Sequence, residues 1–94
     1  MDYAVEFNAE KNELLKSTRH ISFEEVIGCI QNGGLLDNKI HHNKLRPNQR
    51  IYIVSINKYV YIVPYVVDEK NKKIFLKTIY PSRKYTKLYL KGEL

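Results

Sequence analysis

The pattern of apolar and polar positions along the chain predicts four β-strands. The four segments are residues 3–7, 50–56, 59–67 and 74–80. Asn57 and Lys58 connect the second and third strands as a two-residue hairpin, because asparagine tolerates a positive φ. The fourth strand ends before Pro81, since proline has no N–H and keeps the preceding residue extended.

Capping residues and apolar stripes predict two helices between the first strand and the hairpin. Asn8 can cap a helix that runs to about Thr18. Ser22 and Glu25 have the spacing of a capping box, and an apolar stripe follows them. This second helix ends at the glycine pair of residues 33–34, where a positive φ is easily adopted.

The end of the chain predicts a third helix, which is short and begins after Ser82, a natural N-cap. Residues 35–49 are polar and weakly patterned, so we interpret them as a loop with room for one short strand. These elements predict a single α+β domain over residues 1–94. In it, two N-terminal helices pack on a twisted, mainly antiparallel sheet of three to four strands, and a short C-terminal helix follows.

The hairpin register divides the predicted sheet into an aliphatic face and a tyrosine-rich face. With Ile56 opposite Tyr59, Arg50 shares one face with Tyr61 and Tyr65, while isoleucines and valines occupy the other. We expect the two N-terminal helices to cover the aliphatic face. The tyrosine-rich face would then be at least partly open.

Pro64 conflicts with a central strand because it cannot donate to the hydrogen-bond ladder, and we therefore expect a β-bulge there. Such a bulge also keeps Lys77 out of the aliphatic core, where an unpaired ammonium would be costly. Lys77 would instead join Arg50 and Tyr65 on the open face.

Charge is distributed unevenly along the chain, which has a net charge of +6. Residues 1–38 carry three basic and seven acidic side chains, whereas residues 39–94 carry thirteen basic and three acidic ones. The two parts have net charges of −4 and +10. Such a concentration of positive charge is typical of a protein that binds a polyanion, although an acidic protein would also satisfy it.

Other features of the composition limit the class of protein. No apolar run is long enough to span a membrane, and no signal peptide opens the chain. The single cysteine, Cys29, cannot form an internal disulfide, which is typical of the reducing cytoplasm. The sequence has neither a metal-ligand cluster nor a glycine-rich phosphate loop. We therefore expect no cofactor and, for an enzyme, a metal-independent mechanism.

The start of the C-terminal helix combines free N–H groups with the Ser82 hydroxyl and the cations of Arg83 and Lys84. Cations at this end oppose the helix dipole, whereas a phosphate there would be stabilised by it. We interpret the segment as a phosphate-binding corner. The alternative is a basic helix whose charges are only solvated.

Metal-independent RNA cleavage needs cations that stabilise a phosphorane and groups that move protons. Candidate catalytic residues are Arg50, Tyr65, Lys77, Arg83 and His42, and candidate RNA-binding residues are His41, Tyr61, Tyr80, Lys84 and Tyr85. Tyrosines beside cations can stack on bases or donate to phosphates. The alternatives are that the histidines are ordinary loop residues and the tyrosines ordinary strand formers. A non-catalytic RNA-binding protein would use the same residue types.

Three segments carry a family resemblance: residues 7–11 (FNAEK), 18–25 (TRHISFEE) and 78–84 (TIYPSRK). They resemble the aromatic–Asp–x–x–Lys segment, the Lys-His-Gly-Ile-Ser-Phe-Glu-Glu signature and the closing Ile-Ser-Ala-Arg segment of BrnT-type bacterial toxins, in the RelE/ParE superfamily. Arg83 aligns with the arginine of this closing segment. Arg19 replaces the signature histidine, so the resemblance assigns no catalytic histidine there. His42 followed by Arg50 is similar to the family's lead into the sheet.

The resemblance implies a RelE-like fold and a cytoplasmic endoribonuclease, a hydrolase that cleaves mRNA and blocks translation. Its implied partners are RNA, free or on the ribosome, and a cognate antitoxin that neutralises it. Operator DNA would be contacted only through the antitoxin, and no membrane is implied. The alternatives are a non-catalytic RNA- or protein-binding module of the same fold, or a ParE-like gyrase inhibitor.

Overall fold

The computed structural model describes residues 3–40 and 49–90. These residues contain three helices and six strands, and the predicted α+β class is confirmed. The elements in chain order are β1 (Ala4–Phe7), α1 (Ala9–Arg19), α2 (Phe23–Gln31), β2 (Leu35–Ile40), β3 (Gln49–Ile56), β4 (Tyr59–Asp68), β5 (Lys73–Leu76), β6 (Tyr80–Pro81) and α3 (Arg83–Tyr89). None of the described helices is long and apolar enough to cross a membrane.

The strands form one mixed sheet in the order β1-β5-β4-β3-β2, in which β6 also pairs with β4. Only β1 and β5 are parallel, and the other pairs are antiparallel. The sheet is larger than the three to four strands predicted. The difference comes from β2, which lies in the segment interpreted as a loop with room for one short strand, and from the predicted fourth strand, which is divided into β5 and β6.

Local signals place the two N-terminal helices where the sequence predicted them. The Asn8 side chain caps α1, and the Ser22–Glu25 capping box begins α2. Buried Asn12 joins the helices: its Oδ1 accepts from the Phe23 N–H at 2.8 Å, and its Nδ2 donates to Glu24 Oε1 at 2.8 Å. A free N–H in the first turn of α2 is thereby satisfied inside the protein.

The helices α1 and α2 cover the tyrosine-rich face, so the prediction that they cover the aliphatic face is wrong. The helical side chains Leu15, Phe23 and Val26 belong to one buried cluster with Tyr52 and Tyr65 of the sheet. The rings of Tyr52 and Tyr65 stack with their centroids 3.9 Å apart. Tyrosine rings supply a large apolar area, while the hydroxyls can reach polar partners at the margin.

The aliphatic face is covered by α3 and the residue that follows it. Ile53, Val60 and Ile62 form a second buried cluster with Leu90, and Tyr85 and Tyr89 of α3 pack against this cluster. Both faces of the central strands are therefore buried in part, and the sheet lies between the N-terminal helix pair and the short C-terminal helix.

Pro64 lies in a regular stretch of the β3–β4 ladder, opposite Ile51, so the predicted bulge at Pro64 is wrong. Its carbonyl accepts from the Lys77 N–H at 2.8 Å, which shows that its backbone faces the β5 side. The irregularity lies there. Leu76 is opposite Tyr65 and Tyr80 is opposite Ile62, so three residues between β5 and β6 are opposite two residues of β4. The missing N–H of the proline thus falls where the ladder is interrupted.

Lys77 follows Leu76 and lies on the aliphatic side of the sheet, exposed, with its Nζ 5.5 Å from the centroid of the Phe75 ring. The side chain avoids burial without a bulge in β4, because the chain leaves the ladder between β5 and β6. Arg50 is opposite Tyr65 on the tyrosine-rich face. The prediction that Lys77 joins Arg50 and Tyr65 on one open face is therefore wrong.

Candidate functional site

A cleft of about 710 Å³ opens on the aliphatic face beside α3, and we refer to it as the α3 cleft. It is lined by Asn38, Lys39 and Ile40 of β2, Ile51 of β3, Ile62 of β4, Tyr80 of β6 and Tyr85 of α3. None of the described residues that line it is acidic. The volume lies within the range of pockets that bind small ligands or parts of larger ones.

Apolar and aromatic side chains form much of the cleft wall. Ile51 and Ile62 come from the sheet and are 9% and 7% exposed. Tyr80 is exposed, so the cleft offers an aromatic surface to solvent. Such a surface can accept a planar ring, because every aromatic ligand has an apolar face.

Two lysines flank the Tyr85 ring. The Nζ atoms of Lys39 and Lys84 lie 5.4 Å and 5.8 Å from the centroid of this ring. These are cation–π distances. One aromatic ring of the cleft wall therefore has an ammonium group from β2 and another from α3 beside it.

Hydrogen bonds to β4 fix the position of α3 and hence of Tyr85. The buried Thr86 hydroxyl accepts from the Val60 N–H at 2.9 Å and donates to the Ser82 carbonyl at 2.7 Å. The Ser82 N–H donates to the Val60 carbonyl at 2.9 Å, and the Ser82 hydroxyl caps α3 by accepting from the Tyr85 N–H. The first turn of α3 is thus attached to the end of the β4–β6 ladder.

A second attachment joins α3 to β2. The Tyr89 hydroxyl donates to Asp37 Oδ2 at 2.9 Å. This hydrogen bond lowers the pKa of Asp37, whereas desolvation and then the same hydrogen bond raise the pKa of Tyr89. Asp37 comes directly before the β2 residues that line the cleft, and its carboxylate accepts a hydrogen bond from the neutral Tyr89 hydroxyl.

Several of the predicted site residues lie at the α3 cleft. Tyr80 and Tyr85 line it, and Lys84 stands over the Tyr85 ring. Arg83 is exposed in the first turn of α3, next to Lys84. Lys77 lies on the same side of the sheet.

The remaining predicted residues that the structure describes lie elsewhere. Tyr65 is only 2% exposed, and its hydroxyl donates to Asn38 Oδ1. Arg50 is exposed at the end of the tyrosine-rich face. Tyr61 packs against the cluster beneath α1 and α2 and makes an edge contact with Tyr59. The predicted grouping of these residues with Lys77 and Arg83 is not what the structure shows.

The predictions for His41 and His42 fall outside the described residues. Lys39 is a cleft residue that sequence reasoning missed. The alternation of polar residues at Asp37 and Lys39 could have placed both side chains on the aliphatic face, but only if residues 35–40 had been recognised as a strand.

Arg19, which stands where the related signature has histidine, has a structural contact. Its guanidinium donates to the carbonyl of Ile79, the residue before Tyr80. Arg19 therefore helps to hold the chain between β5 and β6, next to the cleft.

Comparison with protein-family models, with curated proteins and with solved structures finds no match to this chain.

Proposed function

We propose that this chain is the toxin of a bacterial type II toxin–antitoxin system, a cytoplasmic endoribonuclease that binds single-stranded RNA in the α3 cleft. The observation that carries the proposal is the Tyr85 ring with Lys39 and Lys84 beside it, in a cleft with an apolar wall. A ring that stacks on a base and cations that contact the backbone are what binding of single-stranded nucleic acid requires.

The order of the elements supports a RelE-like fold as part of this proposal. A short strand, two helices, a mainly antiparallel sheet and a closing helix follow one another along the chain. This is the order that the resemblance to BrnT-type toxins implies. Among the described basic residues of the second half, six lie on the strands or on α3: Lys39, Arg50, Lys73, Arg83, Lys84 and Lys87. A basic sheet is also what that resemblance implies.

The proposed reaction is a transesterification within the RNA strand. The 2′-oxygen attacks the adjacent phosphorus, the bond from phosphorus to the 5′-oxygen breaks, and the products are a 2′,3′-cyclic phosphate and a 5′-hydroxyl. One group takes the 2′-hydroxyl proton and another donates a proton to the 5′-oxygen. Arg83 and Lys84 would stabilise the negative charge on the non-bridging oxygens of the phosphorane, with Lys77 on the same side of the sheet. Tyr80 and Tyr85 are the described cleft residues that could transfer protons.

A second candidate function is a non-catalytic RNA-binding module. The observation that favours it is the contact of Arg19, because the residue at the position of the signature histidine is engaged with the Ile79 carbonyl. In both functions, the proposed protein partner is an antitoxin with an acidic segment that covers the α3 cleft and a domain that contacts operator DNA.

The experiment that separates the two candidates is induction of the chain in growing bacteria, followed by mapping of RNA 5′ ends. We expect the wild type to arrest growth and to create new 5′-hydroxyl ends, and Arg83→Ala to reduce both effects at least tenfold. Lys70→Ala is the matched control, because it removes one cation from the β4–β5 turn instead of α3. Growth arrest with intact RNA would contradict the proposal, and absence of arrest with retained RNA binding would support the binding module.

A further inference from the structure

A second pocket, of about 200 Å³, lies at the end of the tyrosine-rich face, and we refer to it as the Arg50 pocket. Arg50 of β3 and Glu69 of the β4–β5 turn both line it, and both side chains are exposed. The pocket is separate from the α3 cleft because the sheet lies between them. Its volume is below the usual range for drug-sized ligands, so it can accept one small ring system.

The two charged side chains of the pocket do not pair with each other. The ion pairs among the described residues join Lys16 to Glu13 and Lys73 to Glu6, and neither involves the pocket. Arg50 and Glu69 therefore face one space with their charged groups more than a salt-bridge distance apart. A ligand that accepts hydrogen bonds on one side and donates them on the other would bridge them.

The rest of the pocket is arranged for a planar ligand. Val67 and Ile74 give it an apolar surface, and Tyr3 contributes an aromatic ring that is half-buried. The Tyr3 hydroxyl donates to Glu69 Oε2, which orients the carboxylate; Oε1 and the second lone pair of Oε2 remain available to a ligand. The pocket thus combines a fixed acceptor, a planar donor and apolar walls.

Buried tyrosines make the base of the pocket rigid. Tyr52 and Tyr65 stack against each other, and the Tyr65 hydroxyl is held by Asn38. Burial, followed by the nearby Tyr65, raises the pKa of Tyr52, whose hydroxyl is neutral at pH 7 in any case. Neutral aromatic rings therefore form the base of the pocket.

We propose that the Arg50 pocket binds a guanine base, with the Arg50 guanidinium donating to O6 and N7 and the Glu69 carboxylate accepting from N1–H and the 2-amino group. Guanine carries two adjacent acceptors on one edge and two adjacent donors on another, which matches a guanidinium and a carboxylate. Adenine has a donor amino group where guanine has O6, so Arg50 would meet a donor. Cytosine and uracil lack the paired O6 and N7 acceptors that Arg50 would contact.

The base could belong to a free nucleotide or to a single-stranded RNA. In the second case the pocket would add a preference for guanosine at one position of a strand that also contacts the protein elsewhere. The chemistry of recognition is the same for both sources, and it does not depend on the function proposed for the α3 cleft.

The test is titration of ¹⁵N-labelled protein with GMP, IMP and AMP, monitored by backbone amide shifts. We expect GMP to shift the amides of Arg50, Tyr52 and Glu69 and to bind about 5- to 150-fold more tightly than AMP. IMP lacks the 2-amino group, so its affinity should lie between the two. Arg50→Gln and Glu69→Gln should each abolish the preference for GMP, whereas Lys70→Gln, in the same turn as Glu69, should retain it. Thermal unfolding of each variant checks that the fold is intact.

Equal affinities for GMP and AMP would overturn the proposal, because they would show that only the phosphate is bound. It would also be overturned by shifts confined to residues of the α3 cleft such as Tyr85, or by unchanged GMP binding in Arg50→Gln. Two short RNAs that differ only in one guanosine or adenosine distinguish the sources: tighter binding of the guanosine RNA, lost in Arg50→Gln, indicates RNA, and equal binding of the two RNAs indicates a free nucleotide. The RNA-cleavage experiment on Arg83→Ala is independent of all these results.

Discussion

At the scale of single residues, Gly34 shows how closely α2 approaches the sheet. Its N–H donates to the Cys29 carbonyl at 2.8 Å, and its carbonyl accepts from the Ser55 N–H at 3.0 Å. A Cβ on this residue would lie 2.2 Å from Cys29 Sγ and 3.1 Å from the Cys29 carbonyl oxygen. The thiol has little freedom to move away, because it donates to the Ser55 carbonyl at 3.1 Å. Glycine is therefore required here for space.

We expect Gly34→Ala to destabilise the protein by about 1–3 kcal/mol, the usual cost of overpacking. Gly28→Ala is the matched control: a Cβ there meets nothing within 4 Å, and alanine in a helix interior should stabilise by about 0.5–1 kcal/mol. Urea unfolding of the two variants measures both effects. Effects of the same sign would contradict the steric role of Gly34. In the double variant Cys29→Ala, Gly34→Ala, part of the loss should be recovered.

At the scale of elements, α3 depends on two attachments that differ in their response to pH. The Thr86 hydrogen bonds contain no group that titrates, whereas the Asp37–Tyr89 hydrogen bond joins two groups that do. The pKa of Asp37 is lowered in the folded protein, so this pair stabilises the fold above the ordinary aspartate pKa of about 3.9. That stability is lost as the pH falls through the lowered value. The pKa of Tyr89 is raised, so its contribution is lost as the pH rises through the raised value.

We therefore expect Tyr89→Phe to return the pKa of Asp37 toward its ordinary value. The variant should also unfold with a weaker dependence on pH below about pH 4, since the folded and unfolded states would then differ less in proton binding at Asp37. Carbon-13 NMR titration of the carboxylates and acid unfolding measure the two effects. Tyr59→Phe, at the hairpin and remote from Asp37, is the control. An unchanged pKa of Asp37 in Tyr89→Phe would contradict the attachment.

The sequence predicted the elements whose determinants lie within a few residues of one another. The Asn8 cap, the Ser22–Glu25 capping box and the Asn57–Lys58 turn are confirmed because each acts locally. The edge strand β2 has mixed polarity on both sides, so alternation identifies it poorly.

The choice of covered face could not be predicted in the same way. Alternation separates Tyr52 and Tyr65 from Ile53 and Ile62, but it does not determine which face two helices cover when a third helix covers the other. The prediction for Lys77 was wrong for the same reason, and also because the register of β5 depends on its pairing with β4, which is distant in sequence. The α3 cleft could be predicted only in part, from Tyr80, Lys84 and Tyr85, because Lys39 reaches it through tertiary packing.

At the scale of the whole molecule, the uneven charge along the chain becomes a difference between two faces. The exposed acids of α1 and α2 lie over the tyrosine-rich face; they are Glu10, Glu13, Glu24 and Glu25. Lys39, Lys77 and Lys84 lie on the opposite side of the sheet. Arg50 is also exposed, at the end of the tyrosine-rich face. A polyanion would therefore be repelled by the acids of the helices and attracted to the α3 cleft and to the end of the sheet at Arg50.

Electrostatic and stacking contributions to RNA binding come from different side chains of the α3 cleft, Lys39 and Tyr85. One variant of each residue therefore measures each contribution separately. Lys39→Gln removes a cation but keeps the Tyr85 ring, so we expect the slope of log affinity against log salt to fall by about 0.7, the value for one phosphate on a single strand. Tyr85→Leu removes the ring and keeps both lysines, so affinity should fall by about 1–3 kcal/mol with the slope unchanged. Fluorescence anisotropy with a labelled single-stranded RNA at several salt concentrations measures both quantities. Lys70→Gln, which has the same change of charge in the β4–β5 turn, should leave the slope within error of the wild type. If Lys70→Gln and Lys39→Gln lower the slope equally, the attraction is due to net charge alone and the cleft is not the RNA site.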